Sequence, residues 1–138
     1  MVFSHVGLNC RDMAATEAFY SQLFGFKRAR VFDIGDGAQI VFLKLGGVYL
    51  ELFAAEGNPV AHEADGPRQA GLLRHIAFQV DDVDAVLAKL DNPDISLGPA
   101  QFDAFIPGWK TVWLRDPDGV IVEVSQGFSD DPALLSES

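Results

Sequence analysis

The chain has 138 residues, 49% of them hydrophobic and 22% charged, which is the size and balance of one folded domain rather than of a disordered segment. Ten Lys and Arg stand against twenty Asp and Glu, and the net charge of −10 argues against nucleic acid or an anionic membrane as a partner. The single cysteine, Cys10, excludes an internal disulfide and a cysteine-rich zinc site.

The opening MVFSHVGLNC is short and uncharged for a signal peptide, and no apolar run approaches roughly 18 residues. The expectation is a cytoplasmic protein. Residues 3–10 alternate and predict a strand. Asp12 is a good N-cap for a helix over 13–24, with Thr16, Phe19, Tyr20, Leu23 and Phe24 on one face and Gly25 ending it. Strands follow over 28–34, 39–45 and 48–54, with turns at Gly35-Asp36-Gly37 and Gly46-Gly47. The small basic cluster Lys27-Arg28-x-Arg30 reads as an exposed strand end. Residues 55–71 are rich in Gly, Pro and Ala without periodicity and read as a linker.

The order then repeats. A strand is expected over 73–80, a helix over 82–91, a weak strand within 95–105, and strong strands over 109–115 and 120–126 joined by Asp116-Pro117-Asp118-Gly119. Residues 128–138 read as a loose tail. The fold class is α+β: one domain over 1–138 made of two βαβββ modules, about 3–54 and 72–126.

The repeat is visible in the letters. HVGLNCRDM aligns with HIAFQVDDV, which sets His5 on His75 and Asp12 on Asp82, 70 residues apart. GVYLELF aligns with GVIVEVS, which sets Glu51 on Glu123, 72 residues apart. Side chains alternate across a strand. His5 therefore shares a face with Phe3, Gly7 and Asn9, and Glu51 with Tyr49 and Phe53. His75 and Glu123 likewise point away from the apolar faces of their strands. An isolated buried carboxylate is costly. If the four faces converge, one divalent cation satisfies both Glu and both His. Imidazole with carboxylate suits Zn, Ni, Fe, Co or Mn. The third histidine, His62, lies in the linker and has no repeat partner.

These segments, with AFYSQLFGF and WLRDPDGVIVEV, resemble the vicinal oxygen chelate superfamily. Its members include glyoxalase I, methylmalonyl-CoA epimerase, extradiol dioxygenases and the fosfomycin- and bleomycin-resistance proteins. The resemblance spans roughly residues 3–126. It implies paired modules curling around a metal, and frequent homodimers whose sites draw on one chain or two. His5, Glu51, His75 and Glu123 fill all four ligand positions. That pattern matches bacterial glyoxalase I, whereas extradiol dioxygenases use two His and one Glu, and bleomycin-resistance proteins lack the set.

A glyoxalase-like reading makes the protein a metal-dependent isomerase or lyase. Glu123 is then the first choice of catalytic base and Glu51 the second. An epimerase-like enzyme would add a carboxylate from the second or third strand, with Asp33 or Asp36 the local supply. A non-catalytic small-molecule binding protein and an Fe(II) dioxygenase are the other readings. Glutathione-type glyoxalase I carries Arg four residues beyond its first His, where this chain has Asn9. It also carries Asn soon after the first Glu, where this chain has Asn58 seven residues on. Phe3, Asn9, Tyr49, Phe53, Phe102, Phe105, Trp109 and Trp113 are the candidates to line a small, partly apolar substrate. Residues 102–108 form a candidate lid. Arg74 and Lys110 are the candidate partners for an anionic group.

Overall fold

Asp12 starts the first helix as its sequence position predicts. Its carboxylate accepts from the Ala15 N–H, and α1 (Met13–Phe24) runs to Gly25, whose φ of 81° closes the helix in the left-handed region. Asp82 repeats the cap by accepting from Ala85 N–H at the head of α2 (Val83–Leu87). The second helix is shorter than its 82–91 periodicity suggests. Lys89 and Leu90 bond back to Val86 and Leu87, three residues away, and Asn92 at φ 52° with Pro93 ends any continuation.

The computed structural model describes residues 1–135. The first sheet holds β1 (His5–Cys10), β2 (Lys27–Gly35), β3 (Ala38–Leu45) and β4 (Val48–Ala54), in the order β1-β4-β3-β2. The second holds β5 (Ile76–Gln79), β6 (Ile95–Gln101), β7 (Lys110–Arg115) and β8 (Ile121–Gln126), in the order β5-β8-β7-β6. Each first strand runs parallel to its module's fourth and the rest are antiparallel. The repeat extends to register: Gly7 lies opposite Glu51, and Ala77 lies opposite Glu123. Two βαβββ modules are therefore present, as expected.

The chain divides into two compact units. One is Met1–Ala61 together with Asp116–Val120, and the other is His62–Arg115 together with the chain from Ile121 onward. In the first unit one sheet face packs under α1. Leu8, Cys10, Val41, Leu43, Leu50 and Leu52 meet Thr16, Tyr20 and Leu23, all with 6% or less exposed. Each fully buried Leu contributes about 1.5–3 kcal/mol. The Tyr20 hydroxyl donates to Asp116 Oδ2 at 2.8 Å, while Asp116 Oδ1 accepts from the N–H groups of Asp118 and Val120. The DPDG turn is thus tied down by a buried tyrosine. In the second unit Val83 and Val86 of α2 are buried with Val112, Leu114, Val122 and Val124.

Three further boundaries differ from the sequence reading. His75 precedes β5 rather than lying within it. The linker is turn and coil, but it is not inert: its Asp65 reaches His75 through the backbone. The tail is not wholly loose, because α3 (Pro132–Leu135) forms one turn, and residues 136–138 lie outside the described chain. Among the described residues no helix is long and apolar enough to cross a membrane.

Candidate metal centre

Strand pairing brings each His to its Glu. Nε2 of His5 lies 3.1 Å from Glu51 Oε2, and Nε2 of His75 lies 2.7 Å from Glu123 Oε2. Each pair stands on the sheet face away from the helix, as alternation predicted. Among the described residues no group of three or more His, Cys, Asp and Glu is close enough to hold one ion, so the four expected ligands appear as two pairs, one per module.

The other nitrogen of each ring is also engaged. Nδ1 of His75 lies 2.7 Å from the Asp65 carbonyl oxygen. A carbonyl only accepts, so Nδ1 carries a proton, and a ring with no second proton presents the lone pair of Nε2 to Glu123. A nitrogen lone pair and a carboxylate oxygen at that distance repel unless a cation joins them. A proton meets this need, and so does a divalent metal. His5 repeats the pattern with Nδ1 2.9 Å from the Ser4 hydroxyl. Anchoring one ring nitrogen to an oxygen while freeing the other is the arrangement that orients metal-bound histidine. Each imidazole–carboxylate pair is of a chemistry that divalent transition metals accept.

The surroundings of Asp65 fix that carbonyl. Burial pushes the Asp65 carboxyl upward, but the hydrogen bond and charge of Arg74, with Arg68 beside it, outweigh burial and hold it below the usual range. Gly66 has φ 115°, and a Cβ there would collide with the Arg74 carbonyl. Only glycine lets the chain pass so close.

The aromatic candidates have distinct positions. Trp113 is 7% exposed and donates Nε1–H to Glu123 Oε2 at 3.2 Å. Trp109 donates to Ser125 Oγ and packs between Phe102 and Phe128. Phe105 is 78% exposed at the tip of residues 102–108. That segment closes on itself, with Phe102 accepting from Phe105 and Ile106, and Asp103 from Gly108 N–H. Phe3 is exposed at 69%, and Asn9 is exposed beside Phe53 in register. Tyr49 stacks edge-on against Phe42, which also meets His5 and Phe32.

Arg74 and Lys110 are both engaged, with Asp65 and Asp84. Asp33 is taken by Gln39 and sits on the opposite face from its neighbour Phe32, and Asp36 is a turn residue at φ 52°. Neither accompanies Glu51. His62 contributes its backbone carbonyl to Arg115, and Asn58 is exposed in the linker. The sequence reading missed Ser4, the Asp65 carbonyl, and the group Arg30, Phe32, Phe42 and Lys44. Phe42 and Lys44 were within reach of it, since they share the alternation phase of a strand beside Glu51.

The pattern of the Glyoxalase/Bleomycin resistance protein/Dioxygenase superfamily matches residues 2–124, and the chain belongs to that superfamily. It is 30% identical over 122 residues to the uncharacterized protein YaeR of Escherichia coli, across 87% of this chain and 92% of that one. Human mitochondrial methylmalonyl-CoA epimerase is 27% identical over 128 residues, across 89% of this chain and 72% of the epimerase. A fold relative is the E126Q mutant of the fosfomycin resistance protein FosX from Listeria monocytogenes, solved with Mn(II) and 1S,2S-dihydroxypropylphosphonic acid. It aligns with TM-score 0.69 and 18% identity, covering 92% of this chain and 90% of that one.

Proposed function

We propose that this protein is a metal-dependent enzyme of the glyoxalase I kind. It moves a proton at the carbon beside a carbonyl in a small substrate with two adjacent oxygens. The observation that carries this reading is the pair of His–Glu contacts, each with Nδ1 anchored and Nε2 aimed at carboxylate. His5, Glu51, His75 and Glu123 would hold one divalent ion, Ni, Zn, Co, Fe or Mn. When bound, the ion supplies a Lewis acid that draws charge from the two substrate oxygens.

The chain's own groups do the rest. Glu123 takes the proton and returns it to the neighbouring carbon, and Glu51 is the second choice for that base. Trp113 and His75 both engage Oε2 of Glu123, which leaves Oε1 for the substrate proton. Tyr49 and Phe53 present apolar surface beside Glu51, on the same strand face. A second reading, epimerisation of a CoA thioester, is favoured by the similarity to methylmalonyl-CoA epimerase. The chain is proposed to act as a homodimer in the cytoplasm.

The test begins with metal stripping and reloading with each of the five ions. Loaded protein is then assayed on the hemithioacetal of methylglyoxal and for α-deuterium exchange into methylmalonyl-CoA. Turnover of the first supports the glyoxalase reading, and exchange of the second supports the epimerase. A chain that binds none of the ions sinks both. Mixing His5→Ala with His75→Ala chains reads the assembly: recovered activity means the ligands come from two copies, and none means each chain builds its own site.

A further inference from the structure

The first module carries a second chemical feature beside His5. A recess of about 500 Å³ is lined by His5, Arg30, Phe32, Phe42, Lys44 and Tyr49 among others. Strand register explains how these residues meet. Lys44 lies opposite Tyr49, which lies opposite His5, and Arg30 lies opposite Phe42, which lies opposite Glu51. Lys44 therefore stands two strand spacings, about 10 Å, across the sheet from His5, and Arg30 stands the same distance from Glu51.

A bulge makes this possible. Lys27 pairs with Lys44 and Arg28 with Leu43, but Arg30 then pairs with Phe42, so Ala29 is the extra residue. One inserted residue reverses the alternation phase. Arg28 turns to the helix side, where it binds Glu17 at 2.6 Å, while Arg30 turns to the site face. Without the bulge Arg30 would follow Arg28.

The electrostatics are unusual for this chain. Arg11, Arg28, Arg68, Arg74, Lys110 and Arg115 each pair with a carboxylate. Among the described residues Arg30 and Lys44, like Lys27 opposite Lys44, have no such ion pair, although acids outnumber bases two to one. Each lies over an aromatic ring instead, Arg30 at 5.8 Å from Phe32 and Lys44 at 5.6 Å from Tyr49. A ring face holds a cation in place without neutralising it. The result is a local positive site on a strongly negative protein, open beside two metal-ligand candidates.

We propose that Arg30 and Lys44 form an anion subsite. The substrate then carries a carboxylate or phosphate group at the end remote from its chelating oxygens. The placement beside a reacting centre rests on the metal reading above, but anion binding itself does not. Guanidinium and ammonium together suit an oxyanion, with Arg able to grip two oxygens at once.

The experiment uses the metal-free full-length chain at about pH 8, above the ordinary histidine range. Amide resonances are followed by NMR during titration with succinate and, separately, inorganic phosphate. Saturable shifts centred on Arg30, Phe42 and Lys44 are expected, and the tighter of the two anions names the group. The Arg30→Gln/Lys44→Gln variant should bind at least tenfold more weakly, with its spectrum elsewhere unchanged. Arg28→Gln, on the other face, should bind as wild type does. Shifts no larger there than at Arg74 and Arg115, or a double variant that binds equally well, would overturn the proposal. Because no metal is present, failure here leaves the four-ligand reading standing, and failure of metal binding leaves the anion result standing.

Discussion

Trp113 donates its indole N–H to Oε2 of Glu123, the same oxygen that faces Nε2 of His75. Trp113 and Glu123 are register partners on β7 and β8, so the contact is built into the sheet. Trp113→Phe keeps an aromatic ring and removes the donor. Metal affinity measured by competition with a chelator should fall about 10- to 100-fold, as is usual when a group orienting a ligand is lost. Unfolding by denaturant measured on the same variant separates this effect from lost packing. An unchanged affinity would mean that Trp113 serves the core alone.

Gly66 tests the other side of His75. Alanine there meets the Arg74 carbonyl and must adopt a φ that side chains avoid, so the Asp65 carbonyl is displaced. His75 then loses the acceptor that sets its tautomer. Gly66→Ala should weaken metal binding while leaving the first module's amide spectrum as it was. The same loss of affinity should not follow from Gly71→Ala, where a Cβ meets nothing within 4 Å.

The burial of Asp116 predicts a pH effect. Burial pushes the Asp116 carboxyl above its ordinary value, against the opposing hydrogen bonds from Tyr20 and the backbone. A folded value above the unfolded one means the folded chain binds that proton more tightly. The stability so gained is complete below the unfolded value of about 3.9 and is lost as pH rises through the folded one. Asp116→Asn removes this dependence. Urea unfolding of both proteins, from below about pH 4 to neutrality, should show wild type losing ground to the variant as pH rises. A difference that stays flat, or grows in favour of wild type, contradicts the assignment.

The two helix caps differ in what depends on them. Asp12→Ala and Asp82→Ala each remove a side-chain acceptor, at a cost of about 0.5–2 kcal/mol. The first should cost more, because α1 has 12 residues and buries Thr16, Tyr20 and Leu23, while α2 has 5 and buries Val83 and Val86. Thermal unfolding of the two variants gives the order directly.

Much of this protein is legible in its letters, for identifiable reasons. The strand alternation from His5 to Cys10, the Asp12 cap and the Gly25 stop are local, and each occurs where the sequence places it. The repeat made the second module readable from the first, down to the equivalent register of Glu51 and Glu123. The identity of the four ligand candidates, and their position on the face away from the helix, needed no tertiary information.

Other features depend on distant parts of the chain. The Asp65 carbonyl is ten residues from His75 in a segment without periodicity, and only a close backbone approach at Gly66 brings it there. The Trp113 hydrogen bond to Glu123 was not legible, because alternation shows which way a ring points, not which partner its N–H finds. Arg30 is the clearest case. Side-chain period alone sends Arg28 and Arg30 to one face, where they read as a strand end with no task. The bulge at Ala29 arises from how β2 registers on β3, and it sends Arg28 to Glu17 and Arg30 to the recess beside His5. Sequence named the paired His and Glu candidates and the face that holds them. Pairing between strands decided which charges accompany them, because a single inserted residue reverses every side chain that follows it.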